Sequence, residues 1–314
     1  MRLVLYGISG SGPGDAWAVG EAGVIVRWNG HDWRLHPYRA PGHLRDVCSL
    51  SATDVWAVGA NGLVVHFDGT SWSVIPSGTN ASLRAVWSAA NGEVWMVGDS
   101  NVVLRRDASG VVMPIVSAEP HEWHDIAGTG PRDIWIVGNS GAIARWDGTA
   151  LRSFASGTTA ELNAMWFGTG ADGWIVGSPD EAADGSSAEA IALHWNGATL
   201  TRTSTSTREP LIGVWGSGPG DVWAVGQNFG RNEAHSRRPV LHWDGNAWVP
   251  RATGAAGWYA GIWGDGSGAV WAVGCCEPLL EWHFTEWQAL TRASILHAPE
   301  PPLPIGDGRI HRRW

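Results

Sequence analysis

Charge is scarce in this chain. Only 16% of its 314 residues are charged, and acids outnumber bases to give a net charge of −9. No basic face is left for a phosphate backbone, so nucleic acid is excluded as an expected partner. Three cysteines, Cys48, Cys275 and Cys276, are too few for a disulfide framework. No apolar run reaches membrane-spanning length, so no membrane span is expected. The opening residues Met1-Arg2-Leu3-Val4-Leu5 lead straight into patterned sequence, with an apolar part too short for a secretory signal. The chain as written is therefore expected in the cytosol, and outside it only if a leader is missing.

What the chain has in abundance is tryptophan, 23 in all, and seven of them recur in one setting. Trp17, Trp56, Trp95, Trp135, Trp174, Trp223 and Trp271 sit in copies of the stretch Asp221-Val222-Trp223-Ala224-Val225-Gly226, at spacings of 39, 39, 40, 39, 49 and 48 residues. Self-similarity at a fixed period marks a repeat architecture. The second copy shows the unit plainly. Leu44–Cys48 and Val55–Val58 read as two strands, Asn61-Gly62 as a hairpin turn, Leu63–Phe67 as a third strand, and Asp68-Gly69 as the turn into Ser71–Ile75.

Each unit is thus a four-stranded antiparallel meander, with strands A to D. Strand B is apolar at consecutive positions, which requires cover on both faces of the sheet. Seven such sheets covering one another predict an all-β fold, a seven-bladed β-propeller of four-stranded antiparallel blades over residues 1–293, followed by a Pro-rich tail over 294–314. The blades start near residues 5, 44, 83, 123, 162, 211 and 259. Most tryptophans are expected to fill the gaps between blades. A recurring residue before the strand C aromatics, Arg27, His66, Arg105, Arg145, His194, His242 and Glu281, predicts a repeated hydrogen bond or cation-π contact between blades, or a lectin with one site per blade.

Strand A is expected innermost, so its second residue rings the channel mouth: Tyr6, Arg45, Arg84, His124, Asn163, Ile212 and Ala260. Blades 2 to 5 make this ring polar, and blades 6, 7 and 1 make it small or apolar. The B-to-C and D-to-A loops vary most, and they leave the same end of the ring. Residues 178–189 form an acidic insertion in blade 5, expected to be flexible, and 227–238 a basic one in blade 6.

The motifs GSGPGDVWAVG and HWDG, as at Gly216–Gly226 and His242–Gly245, resemble those of bacterial propeller proteins common in myxobacteria and related soil bacteria. The likeness covers residues 5 to about 292. It implies the propeller, and export from the cell, and leaves the ligand open. The turn Trp243–Trp248 also resembles the Asp-box hairpins of sialidase-like propellers, without their full Ser-x-Asp-x-Gly-x-Thr-Trp pattern.

The candidate site is the mouth. Arg45 and Arg84 are suited to an acidic group, with Asn163, Tyr6 and His121 beside them, and Trp123, Trp258 and Tyr259 are expected as exposed platforms for sugar rings. The leading expectation is a binding module for a glycan or an anionic small molecule. The alternatives are a lyase or hydrolase using His124 with Asp125 or Asp46 as acid and base, and a protein-interaction scaffold through 178–189 and 227–238. If the charged groups were only structural, Arg45 and Arg84 would pair with Asp46 and Asp125. No cofactor is expected. No metal is expected either, with His121, His124 and Asp125 as weak candidate ligands. Cys275-Cys276 is read as a tight turn or a pair of reactive thiols.

Overall fold

The structure is a computed structural model describing residues 3–117, 119–181, 187–227, 239–253, 257–276, 279–283, 286–290 and 295. Within the described residues the chain forms seven four-stranded sheets, each with its strands in sequence order. Strand A spans Leu5–Gly12, Leu44–Ser51, Leu83–Ser88, Trp123–Gly130, Leu162–Thr169, Leu211–Gly218 and Gly257–Gly264 in blades 1 to 7. Each strand A packs on the next, and blade 7 returns to blade 1. The ring is closed, and no strand is exchanged between its first and last blades.

Strand B explains the tryptophan repeat. Asp15–Gly20 is buried at every position, and its equivalents Val94–Gly98 and Val222–Gly226 likewise, as expected of a strand covered on both faces. Its ring fills the space between sheets. Trp17 packs with Leu44, Val55 and Trp72 of the next blade, Trp135 with Leu162, Ile175 and Trp195, and Trp223 with Tyr259, Ala272 and Trp287. Seven apolar clusters result among the described residues, one per gap between blades. Burying such a ring contributes at most about 4–6 kcal/mol, taking ~150–250 Å² at ~25 cal/mol/Å².

The closing gap uses the same parts. Trp271 of blade 7 meets Trp28 and Trp33 of blade 1 at 5.4 and 6.1 Å between ring centroids. Ile295, just past the last strand, is fully buried in that cluster.

The residue at the strand C position of Arg27 and His66 has a shared role inside its own blade in six blades, and in two of them it also reaches the next blade as expected: Arg27 stands over Phe67 and donates to the Ala52 carbonyl, and Arg145 stands over Trp195. It lies opposite the strand B tryptophan, as Trp17 does Arg27 and Trp56 does His66. There it stacks on that ring and pairs with the acid two residues earlier. His66, His194 and His242 lie 4.0, 4.6 and 4.2 Å from Trp56, Trp174 and Trp223. Their Nε2 atoms meet Asp54, Asp172 and Asp221 at 2.9, 2.8 and 2.7 Å. Arg27 and Arg145 stand over Trp17 and Trp135 and bind Asp15 and Asp133; Arg105 does the same with Trp95 and Glu93. Blade 7 changes both ends together, with Ala269 for the acid and Glu281 for the base. Acid and base pair with each other beside a buried ring, and in Trp56, Trp135 and Trp223 the ring N–H joins them by donating to the same aspartate.

The remaining motif letters have local causes. Trp28 and Trp243 donate their Nε1–H to the carbonyls of Pro13 and Pro219, tying strand C to the A-to-B turn. In the C-to-D turns, Asp68 accepts from the backbone N–H of Thr70 and Ser71 and from the Thr70 hydroxyl, which pull its pKa down to about 2.

The blade 5 insertion departs from expectation. Its ends extend the sheet as a hairpin, Asp172–Glu181 against Ser187–Trp195, rather than leaving it as loop. The reason is that its acids find partners on their own blade: Asp180 meets Arg202 at 2.6 Å, and Glu189 accepts from the Ser204 hydroxyl at 2.7 Å. Its tip at 182–186, the blade 6 insertion at 228–238 and the tail from 296 onward lie outside the described residues, as does the side chain of Cys276; Cys275 is buried.

Candidate functional site

Arg45, Arg84, His124 and Asn163 come from four blades and are up to 118 residues apart, yet they line one opening with Tyr6, Ile212 and Ala260. The opening has a volume of about 450 Å³ and is rimmed by Glu122, Glu161 and Gln227. Below it a channel cavity of about 330 Å³ runs between the seven A strands. Two other hollows, of about 490 and 750 Å³, lie at equivalent Ser-Gly-Thr loops, Ser77–Thr79 and Ser156–Thr158. In both loops the serine hydroxyl donates to the threonine carbonyl, so these hollows repeat with the scaffold.

The mouth residues differ in what they are free to do. His124 points its Nδ1 at the Leu162 carbonyl of the next blade, 3.0 Å away. A carbonyl only accepts, so Nδ1 carries the proton and Nε2 is an acceptor. Burial, and then the Arg84 charge, hold its pKa below the usual imidazole range. Asn163 donates in the same way to the Leu211 carbonyl, at 2.9 Å, and to Ser178. Both side chains latch neighbouring blades. Arg84 is taken up by Asp99 and by Glu122 at 3.4 Å. Arg45 is exposed, and among the described residues no carboxylate lies within ion-pair distance of it.

Asp46 and Asp125 lie one residue deeper and bind backbone instead of the arginines. Asp46 accepts from the Val86 N–H of blade 3 at 2.9 Å, and Asp125 from the Met165 N–H of blade 5 at 2.7 Å. Each faces the channel cavity and is partly enclosed by the surrounding strands. That desolvation raises the pKa of Asp46 to about 6 and of Asp125 to about 8, the latter also because Asp46 is a second negative charge in the same channel. The expected structural pairing with Arg45 and Arg84 is therefore replaced by clamps between blades. Among the described residues, neither aspartate is hydrogen-bonded to His124.

Two expected platforms are not platforms. Trp123 is 1% exposed, with its Nε1–H donated to Asn101, and Tyr259 is fully buried. Both occupy the first, core-facing level of strand A, where every blade needs an apolar anchor. Trp258 is half-buried and stacks on Tyr6 of the mouth, with centroids 6.0 Å apart. His121 is turned towards Asn139 and the Trp123 ring. Among the described residues, no three His, Cys, Asp or Glu side chains are grouped to hold a metal ion, so His121, His124 and Asp125 do not converge.

The far end of the channel was missed by sequence reasoning. Trp87, Trp166, Trp215 and Trp263, three residues past the mouth level on strand A, line the cavity there. Each ring covers a glycine of the following blade. A Cβ on Gly10 would meet Trp263 at 2.5 Å, one on Gly216 would meet Trp166 at 2.9 Å, and one on Gly128 would meet Trp87 at 3.0 Å; Gly264 sits likewise under Trp215. Where the ring is absent the socket is filled: Ser9 faces Ser49, and Cys48 meets Ser88 at 3.3 Å. Aligning that level of strand A with the next residue of the following blade carried the signal.

No protein-family model matches this chain, and no curated protein matches it. Solved structures do. YCF48 bound to a D1 peptide is similar at 17% identity, over 90% of this chain and 95% of that one, with a TM-score of 0.68. A streptogramin B lyase is similar at 14% identity, over 92% and 94%, with a TM-score of 0.72. The WD40 β-propeller domain of Doa1 follows at 11% identity, over 93% and 94%, with a TM-score of 0.66. At such identities the likeness shows the propeller fold alone.

Proposed function

We propose that this propeller is a binding module whose ligand places an anionic group on Arg45 at the channel mouth. The observation that carries the reading is the state of that one side chain. Arg45 is an exposed guanidinium at a shared opening, unlike Arg84, which Asp99 and Glu122 already engage. A planar guanidinium offers paired donors to a carboxylate or sulfate, and an unengaged one needs no internal pair broken first. The glycan form of the expectation is weakened by the burial of Trp123 and Tyr259. Acid-base chemistry is not favoured, since Asp46 and Asp125 spend their oxygens on backbone N–H groups.

Calorimetric titration with a panel of small carboxylates and sulfates tests the reading. Binding lost in Arg45→Ala and largely retained in Arg84→Ala supports it. Binding indifferent to Arg45→Ala overturns it.

A second reading, a platform for a peptide or protein, is supported by the fold likeness to YCF48, which was solved with a peptide bound. It would place the partner over the same loop-rich face.

A further inference from the structure

The mouth is two-sided, and the sides are contiguous arcs. Arg45, Arg84, His124 and Asn163 form one across blades 2 to 5; Ile212, Ala260 and Tyr6 form the other across blades 6, 7 and 1. On the second arc the level beneath carries Gly213, Gly261 and Gly7, which keep the wall low and bring adjacent A strands close. A Cβ on Gly7 would lie 2.7 Å from the Asp46 Cα, and one on Gly261 would lie 2.9 Å from the Tyr6 carbonyl. Trp258, stacked on Tyr6, carries the apolar arc outward.

The free cation stands at the seam between the arcs. Arg45 belongs to blade 2 and Tyr6 to blade 1, and both line the same opening. On the opposite side stand Glu122 and Glu161, which repel a second anion. An anion held by Arg45 therefore has one favourable direction for the rest of its body, along Tyr6, Ala260 and Ile212.

We infer that the ligand of this mouth is an amphiphilic monoanion, a carboxylate on a compact apolar or aromatic body, with its acid on Arg45 and its body on the Tyr6–Ala260–Ile212 arc. This rests on the reading above that an anion binds Arg45, and adds what the rest of the ligand must be. Dianions are disfavoured because the second charge meets Glu122 and Glu161, and polyols gain little from Ala260 and Ile212. An opening of about 450 Å³ has room for such a body.

Three probes separate the possibilities on the full chain by calorimetry: acetate, indole-3-acetate and indole-3-acetamide. The expected result is indole-3-acetate bound at least about tenfold tighter than acetate, the gain from burying ~60 Å² of apolar surface. The neutral amide should lose about tenfold or more. Ala260→Asp, and independently Ile212→Ser, should bring indole-3-acetate down to the affinity of acetate while leaving acetate dependent on Arg45. Equal affinity for acetate and indole-3-acetate, both lost in Arg45→Ala, overturns the amphiphile and leaves the anion site standing. Amide bound as well as acid, or no probe bound at all, overturns both.

Discussion

The two ends of the channel break the sevenfold pattern in different ways. At the far end the departures are answered within the protein. Four blades carry a tryptophan, and each has a glycine beneath it on the next blade, while Ser9 and Cys48 meet Ser49 and Ser88 instead. At the mouth, His124, Asn163 and Arg84 are likewise answered, by the Leu162 and Leu211 carbonyls and by Asp99 and Glu122. Arg45 is not. Variation matched by a partner inside the ring preserves packing, whereas an exposed unmatched charge at a shared opening is available to something outside it.

The largest effect should come from an answered position. Trp135 lies against Phe154, Phe167 and Trp195 and under Arg145. Trp135→Ala is expected to cost about 3–5 kcal/mol in urea unfolding; a loss below ~1 kcal/mol would mean that the gap between blades is not close-packed.

Next comes the socket. Gly128→Ser under Trp87 should cost about 1–3 kcal/mol. Combined with Trp87→Cys, which recreates the Cys48–Ser88 pair one blade on, it should couple favourably by about 1 kcal/mol in a double-mutant cycle. Additive costs would break the claim that the far end is internally matched.

The buried aspartates give a pH signature. Their folded pKa values, about 6 for Asp46 and about 8 for Asp125, stand above the ordinary 3.8. The folded state therefore binds protons that the unfolded chain releases, and the stability from these neutral acids is full below about pH 4 and falls as pH rises through 6 and then 8. The melting temperature should be lower at pH 8.5 than at pH 5.5, and Asp125→Asn should flatten the upper part of that decline. Anion affinity at Arg45 should weaken over the same window, as the floor beneath it becomes negative. The smallest effect belongs to Arg45 itself: Arg45→Ala should leave stability within about 0.5 kcal/mol of wild type.

The ring was legible in the sequence because strand B is covered on both faces, so its composition reports its environment directly. The mouth levels were legible for a related reason, since seven copies in register place Tyr6, Arg45, Arg84, His124, Asn163, Ile212 and Ala260 at one height. What the register could not supply was rotation and partner choice. Trp123 and Tyr259 read as exposed because they sit at loop ends, yet their strand position turns them inward. Asp46 and Asp125 read as partners for arginine, but the next strand presented a backbone N–H closer at hand. The residue paired across from each strand B tryptophan read as a link between blades; in six blades it ties its own hairpin together, and Arg27 and Arg145 reach the next blade as well.

The assignment of Arg45 as the anion site turns on one comparison of isotherms, indole-3-acetate titrated into wild type and into Arg45→Ala at matched pH and salt. It predicts saturable binding to the first and a loss of about tenfold or more in the second, with both proteins equally folded. Equal affinity in the two would contradict it, because the exposed Arg45 guanidinium would then have no external partner.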